Sequence, residues 1–204
     1  MARLTRAEQK ALRPTQILEA AFEEFVLHGF TAARVEDIAD RVGVTKGTIY
    51  VYFSTKEELF AAMIQHAASP LERFLKECKN IQGNCVERLR SLILLAYNEM
   101  SGDKRIRELL RFVVSEGTRF PDVVDKHYSD FIEPLIIHTQ DILDEGIKAG
   151  EFATGPRASA RVIIGPIVAM IVEMIIHGDR RDLDVDTYVA AHVDLVISSL
   201  VGRG

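Results

Sequence analysis

An all-α fold, with a small three-helix unit leading into a larger helical body, is predicted by three features of the sequence. Apolar residues recur at helical spacing almost throughout, and no segment alternates as a strand does. Gly-, Asn- or Asp-containing joints interrupt that spacing where helices must stop. The 204 residues, 48% of them hydrophobic, suffice for one well-built domain or two small ones.

Taken in order, Ile17, Ala20, Ala21, Phe25 and Val26 form the first stripe, on a helix expected to begin near Pro14, which a first turn tolerates, and to stop before Gly29. Val35, Ile38, Ala39 and Val42 form a second, short stripe that Gly43 ends. Thr45 can cap a third helix over about 46–52, and Ser54, with Glu57 in the reciprocal capping-box position, a fourth. Further helices are expected at about 56–79, 85–100, 104–116, 121–147, 156–178 and 184–200. Pro70 and Pro134 fall inside two of these and must kink or divide them, since proline lacks an N–H and crowds the preceding carbonyl. The expected partition is residues 1–55 and residues 56–204.

The chain carries 25 Lys+Arg against 30 Asp+Glu, a formal charge of -5, so as a whole it is no polyanion binder and any nucleic-acid contact must be local. Residues 1–60 hold 8 basic and 9 acidic groups, and residues 61–204 hold 17 and 21. Arg3, Arg6, Lys10 and Arg13 against Glu8 make a +3 arm at the start. Two cysteines, Cys78 and Cys85, supply neither a disulfide framework nor a four-thiolate metal site, which favours a reducing cytosol. The N-terminus has no apolar signal core, and the longest apolar stretch, 162–172, is too short to span a bilayer, so a cytoplasmic protein without a membrane partner is expected.

The informative block is VEDIADRVGVTKGTIYVYFSTKEELF, residues 35–60. A short helix, a Gly turn and a second short helix, packed on the first helix of the chain, have helix-turn-helix spacing. Ala39 is small where the helices cross, Gly43 permits the turn, and Val44 and Ile49 are apolar plugs. The second helix then offers a polar and aromatic face to a DNA major groove about 12 Å wide. Lys46 and Lys56 are point charges for phosphates. The hydroxyls of Thr45, Tyr50 and Tyr52 can donate to phosphate oxygens, and Thr48 and Lys46 can reach base edges. Gly47, lacking a side chain, lets the DNA come close.

These residues resemble the tetracycline-repressor (TetR) family from Ile17 to Met63: GF at 29–30, then VEDIADRVGVTKGTIYVYF, then STKEELF. The resemblance implies a dimeric repressor released by a ligand, with Thr45, Lys46, Tyr50, Tyr52 and Lys56 gripping the backbone of double-stranded operator DNA, and Thr48 and Gly47 near the bases. One position departs from the family pattern. Arg34 stands where a Ser or Thr often caps the second helix; it cannot cap in that way and is left to a phosphate or to solvent. The larger body is then the helical ligand-binding and dimerisation domain. Its last two helices, 158–176 and 188–200, carry apolar faces for a homodimer. Phe74, Leu95, Tyr97, Met100, Phe112, Phe131, Ile137, His138 and Met170 are the candidates to line a chamber for a small apolar or aromatic inducer, with His138 as its first polar contact.

An enzyme is disfavoured. The six histidines are scattered without metal-binding spacing, no Gly-rich loop follows a strand, and adjacent acid pairs such as Glu57/Glu58 diverge on a helix. No cofactor or metal is expected. The alternatives are a helical protein-interaction module without DNA binding, or a regulator sensing oxidation through Cys78 and Cys85.

Overall fold

A computed structural model of the chain describes residues 5–102, 104–180 and 183–201. The Thr5 hydroxyl accepts from the Glu8 N–H (3.3 Å) while the Glu8 carboxylate accepts from the Thr5 N–H (2.7 Å). This capping box starts α1 (Arg6–Ala32) well before Pro14, which lies within the helix and not at its first turn. Of the basic arm, Arg3 and the side chain of Arg6 lie outside the described residues. Lys10 is exposed, and Arg13 donates to the Val42 carbonyl (3.3 Å). At Gly29 the backbone turns to φ +69°, ψ 171°, which kinks α1 before its last turn.

Arg34 occupies the N-cap of α2 (Val35–Val42) and makes no side-chain capping bond. Gly43, at φ +70° and ψ 39°, ends α2 in a Schellman turn: its N–H reaches the Asp40 carbonyl (3.1 Å) and the Val44 N–H the Ala39 carbonyl (3.0 Å). Thr45 caps α3 (Lys46–Tyr52) by accepting from the Thr48 N–H. The fourth helix, α4 (Lys56–Ala67), is capped by Thr55, which accepts from the Glu58 N–H (3.0 Å), and Glu58 accepts in turn from the Ser54 N–H (2.7 Å). The expected Ser54/Glu57 pair is thus one residue early. The observed start directs Leu59, Phe60, Met63 and Ile64 into the core.

That core is the reason α4 belongs with the N-terminal helices. The compact units divide at Ser69/Pro70, whereas the expected partition fell before Lys56. Phe60 meets Phe25 and Phe30 edge-on, with ring centroids 5.2 and 5.1 Å apart, and Phe25 stacks on Phe30 at 5.8 Å. Such pairs contribute about 0.5–1.5 kcal/mol each beyond their buried area. Two polar ties lock the unit further. Arg41 of α2 donates to Glu23 (3.0 Å) and to the buried Glu24 (3.1 Å) of α1, and His66 of α4 meets Glu19 at 2.7 Å.

The helix expected over 56–79 divides at Ala68. Pro70 then sits in the first turn of α5 (Ser69–Lys79), where its missing N–H costs no helical bond. The second unit continues through α6 (Cys85–Gly102), α7 (Lys104–Glu116), α8 (Pro121–His127), α9 (Glu133–Lys148), α10 (Ala160–His177) and α11 (Val185–Leu200). Between α8 and α9, residues Tyr128–Ile132 form a π-helical turn in which the Glu133 N–H bonds the Tyr128 carbonyl. Pro134 explains the division, for it has no N–H to give the Asp130 carbonyl in α register. The core of this unit gathers Leu89, Ile93 and Tyr97 of α6, Ile142 of α9, Ile163 and Met170 of α10, and Val193 of α11.

Among the described helices α10 alone is long and apolar enough to cross a membrane by length and composition, although no uninterrupted apolar run of that length occurs in it. All 18 residues of α10 have a mean hydropathy of 1.9, and 28% of them are buried. Arg161 and Glu173 interrupt the apolar run near its start and within its last turns, and His177 ends it. One face of α10, with Ile163, Ile167 and Met170, packs in the protein core; the other carries exposed Val162, Val168, Val172 and Ile176.

Candidate nucleic-acid interface

The geometry of α3 follows from its two ends. Gly43 and Thr45 set its start against α2, and Ile49, 1% exposed, plugs its inner side. Lys46, Gly47 and Tyr50 are left on the surface, with Thr48 and Tyr52 half-buried. The Thr45 and Thr48 hydroxyls lie 3.0 Å apart. Around Gly47 an added Cβ would meet only the Thr45 hydroxyl, at 3.7 Å, so nothing in the protein itself demands glycine there.

Lys46 does not stand alone. Its Nζ donates to Glu36 of α2 at 2.7 Å and lies 5.7 Å from the Tyr50 ring centroid. The hydrogen bond holds the Glu36 carboxyl below the usual carboxylate range and raises the Lys46 ammonium above its ordinary value. The cation is therefore oriented by a carboxylate that any phosphate must displace or tolerate. Lys56, at the start of α4, donates to the Thr31 carbonyl (3.3 Å) and covers the Phe30 ring at 4.8 Å. Arg34 is exposed at the head of α2. All eight sequence-identified positions, Arg34 through Lys56, fall in this one unit.

Sequence reasoning missed Val51, which is 81% exposed on α3. Two residues on a helix differ by about 200°, so the burial of Ile49 itself places Val51 on the outer side. Glu36 was missed because its effect depends on α2 and α3 crossing.

In the second unit, Phe74, Tyr97, Phe112, Phe131 and Met170 are buried, and Leu95 and Met100 are half-buried. Ile137 stands apart, 55% exposed. The His138 Nε2 lies 3.1 Å from the Cys78 carbonyl. Two other histidines carry unmet polar atoms: His127 at Nδ1 and His192 at Nε2, both buried. The other ring nitrogen of His192, Nδ1, is 2.8 Å from the Tyr97 hydroxyl. Burial depresses both histidines, with Asp130 opposing the shift at His127. A cavity of about 820 Å³ opens elsewhere in this unit, between α7 and the end of α10, and none of the nine residues expected around an inducer lines it.

The cysteines are a poor redox pair. Cys78 lies in α5 and Cys85 at the start of α6, both buried and both free. Burial pushes the Cys78 thiol up to about 12, and burial aided by Glu151 raises Cys85, so the reactive thiolate is suppressed. Among the described residues no group of three or more His, Cys, Asp or Glu is gathered around a metal-sized site.

Residues 17–63 match the family described as bacterial regulatory proteins, tetR family. Over 178 residues the chain is 23% identical to the fatty acid metabolism regulator protein of Bacillus subtilis (strain 168), covering 86% of this chain and 90% of that one. The fold is similar to that of the transcriptional regulator FadR from Bacillus subtilis, solved in complex with stearoyl-CoA, with a TM-score of 0.70 at 22% identity over 91% of this chain and 98% of that one. It is similar too to native NalD, the secondary repressor of the MexAB-OprM multidrug efflux pump in Pseudomonas aeruginosa, with a TM-score of 0.73 at 22% identity over 96% and 100% of the two chains. The matched segment runs from the core of α1 to Met63 of α4, the stretch that builds and buttresses α3, and over that segment the chain carries the pattern of the tetR family of bacterial regulatory proteins.

Proposed function

We propose that the chain is a homodimeric repressor that reads a two-fold operator with α3 and leaves it when a small, mostly apolar ligand binds the second unit. The observation that carries the reading is the α3 surface: Lys46, Gly47, Tyr50 and Val51 face outward on a helix whose inner side is pinned by Ile49. A single seven-residue helix grips one half-site weakly, so two copies are needed. The apolar outer stripe of α10, with Leu195 of α11 at 68% exposure, supplies a self-complementary surface for the second copy. The Bacillus subtilis relative is named for fatty acid metabolism and its structural counterpart holds stearoyl-CoA, while NalD is named as an efflux-pump repressor; a largely apolar ligand accords with both.

On this reading Arg34, Thr45, Tyr50, Tyr52 and Lys56 meet phosphates, while Lys46, Gly47, Thr48 and Val51 approach base edges. Release follows if ligand favours a state in which the two α3 helices no longer match adjacent grooves, the N-terminal unit moving about the Ala68–Pro70 joint.

Selection of genomic fragments by the purified protein tests the whole reading. A two-fold sequence with half-sites about one helical turn apart, or a multiple of it, is expected. Tyr50→Phe and Lys56→Ala should weaken operator and non-specific DNA alike, whereas Thr48→Ala should change the ratio. Val172→Glu with Leu195→Glu should give a folded monomer that loses the operator. Selection of no sequence, or recovery of the chain with the membrane fraction through α10, would overturn the proposal. A promoter fusion separates repression from the activation named for a relative in Mycolicibacterium smegmatis.

A further inference from the structure

The cavity between α7 and the end of α10 combines two surfaces that seldom meet by accident. Lys104, Arg107 and Arg111 lie along one ridge of α7, at i, i+3 and i+7, and all border it. Facing them, Met174, Ile175, Leu183 and Val185 form an apolar wall that packs against the buried core of the unit. At about 820 Å³ the space falls within the range that small organic ligands occupy, about 300–1,000 Å³.

The decisive feature is how Arg107 is held. It is half-buried, and its Nη1 donates to the Ser101 carbonyl at 2.6 Å. That partner is neutral, so the bond fixes the side chain without cancelling its charge, and it uses one of five guanidinium donors. Arg111 differs, since its Nε donates to Glu108 at 2.6 Å and part of its charge is met there. Glu173 is the other carboxylate on the cavity among the described residues. Among the described lining residues, which also include His177, three cations stand against two carboxylates, one of them engaged, so this side of the cavity carries a positive balance beside an apolar wall.

We infer that this cavity binds an amphipathic anion, its acidic head on Arg107 and Arg111 and its hydrocarbon chain along Met174, Ile175, Leu183 and Val185. A pre-positioned guanidinium loses little side-chain entropy on meeting a carboxylate or phosphate, and the charge-assisted bond is about twice as strong as a neutral one. Uncharged and cationic amphiphiles forfeit that bond, and the cationic ones meet repulsion as well. The inference deepens the ligand-controlled reading above and rests on it only for the release of DNA.

Calorimetric titration of the full chain with dodecanoate, dodecyl phosphate and dodecyltrimethylammonium tests it. Both anions should bind saturably, one per chain, and the cation should not; comparison of the two anions tells a carboxylate from a phosphate preference. Arg107→Gln with Arg111→Gln should weaken anion binding about tenfold or more, and the milder Lys104→Gln by a smaller factor, with helical circular dichroism retained. Glu108→Gln should tighten it, while Lys148→Gln, on the exposed face of α9, should leave it unchanged. Absence of saturable binding, equal binding of the cation, or equal anion affinity in the Lys104 variant and the double variant would overturn the inference. Operator release is read separately. If dodecanoate binds and operator affinity does not change, the cavity stands and ligand control through it falls; if the double variant releases DNA at the same dodecanoate concentration as the unmodified chain, the cavity falls.

Discussion

Replacing Gly29 and Gly43 one at a time by alanine isolates the backbone from packing. An added Cβ would meet nothing within 4 Å at either site, so no clash enters and the cost is conformational. Their φ values, +69° and +70°, are nearly the same, but ψ differs: 171° at Gly29 and 39° at Gly43. The second pair lies in the left-handed helical region, where an L residue costs about 1–2 kcal/mol and asparagine less. The first lies in a region that only glycine occupies readily, and a side chain there costs about 1–3 kcal/mol. Gly29→Ala should thus destabilise the N-terminal unit more than Gly43→Ala. Gly43→Asn should recover much of the loss, whereas Gly29→Asn should recover little. Hydrogen exchange of peptides within residues 17–63, followed in urea, measures the stability of this unit apart from the second one. Equal losses at the two alanines, or an asparagine equally good at both positions, would refute the assignment of the cost to ψ.

Three other outcomes are expected. Glu36→Gln removes the carboxylate that holds Lys46, so DNA affinity should rise and the log–log salt slope should steepen by about one phosphate contact, measured by fluorescence anisotropy across a salt series. His127 and His192 are buried with depressed values, so the unfolded chain takes up protons first. Their contribution to stability is present above the unfolded value of about 6.5 and is lost as pH falls from there toward the lower folded values, and urea melts at about pH 7.5 and about pH 5.5 should therefore differ less in His127→Gln with His192→Gln. The native thiols should react with a disulfide reagent only at the rate of unfolding, and peroxide should leave operator affinity unchanged; rapid reaction of Cys78 in the folded chain would contradict its burial.

The parts legible in the sequence are those written locally. Gly43, Thr45 and Ile49 specify a turn, a cap and a plug within seven residues, and the structure uses each in that role. Locality also explains the near misses. Thr5 and Glu8 present a capping box, but Pro14 offers a competing start for α1. Ser54 with Glu57 and Thr55 with Glu58 fit the same pattern, and only the burial of Leu59 and Phe60 against α1 chooses between them. What remained hidden depends on distant partners. Nothing near Arg107 in the sequence announces Met174 or Leu183, and nothing beside His192 announces Tyr97. The long-range crossing of α7 with α10 and of α6 with α11 makes those neighbours.

The π-helical turn at Tyr128–Ile132 bears on how this chain should be compared with others. A π turn houses one residue more than the α turn it replaces, and each residue rotates a helix by about 100°. A relative with an uninterrupted α-helix in this place would align with α9 only across a one-residue gap here. Without that gap every position from Glu133 to Lys148 would be compared with the wrong face, surface against core. For the same reason, a single deletion in the middle of α9, before Ile142 and Leu143, would turn those buried residues away from the core.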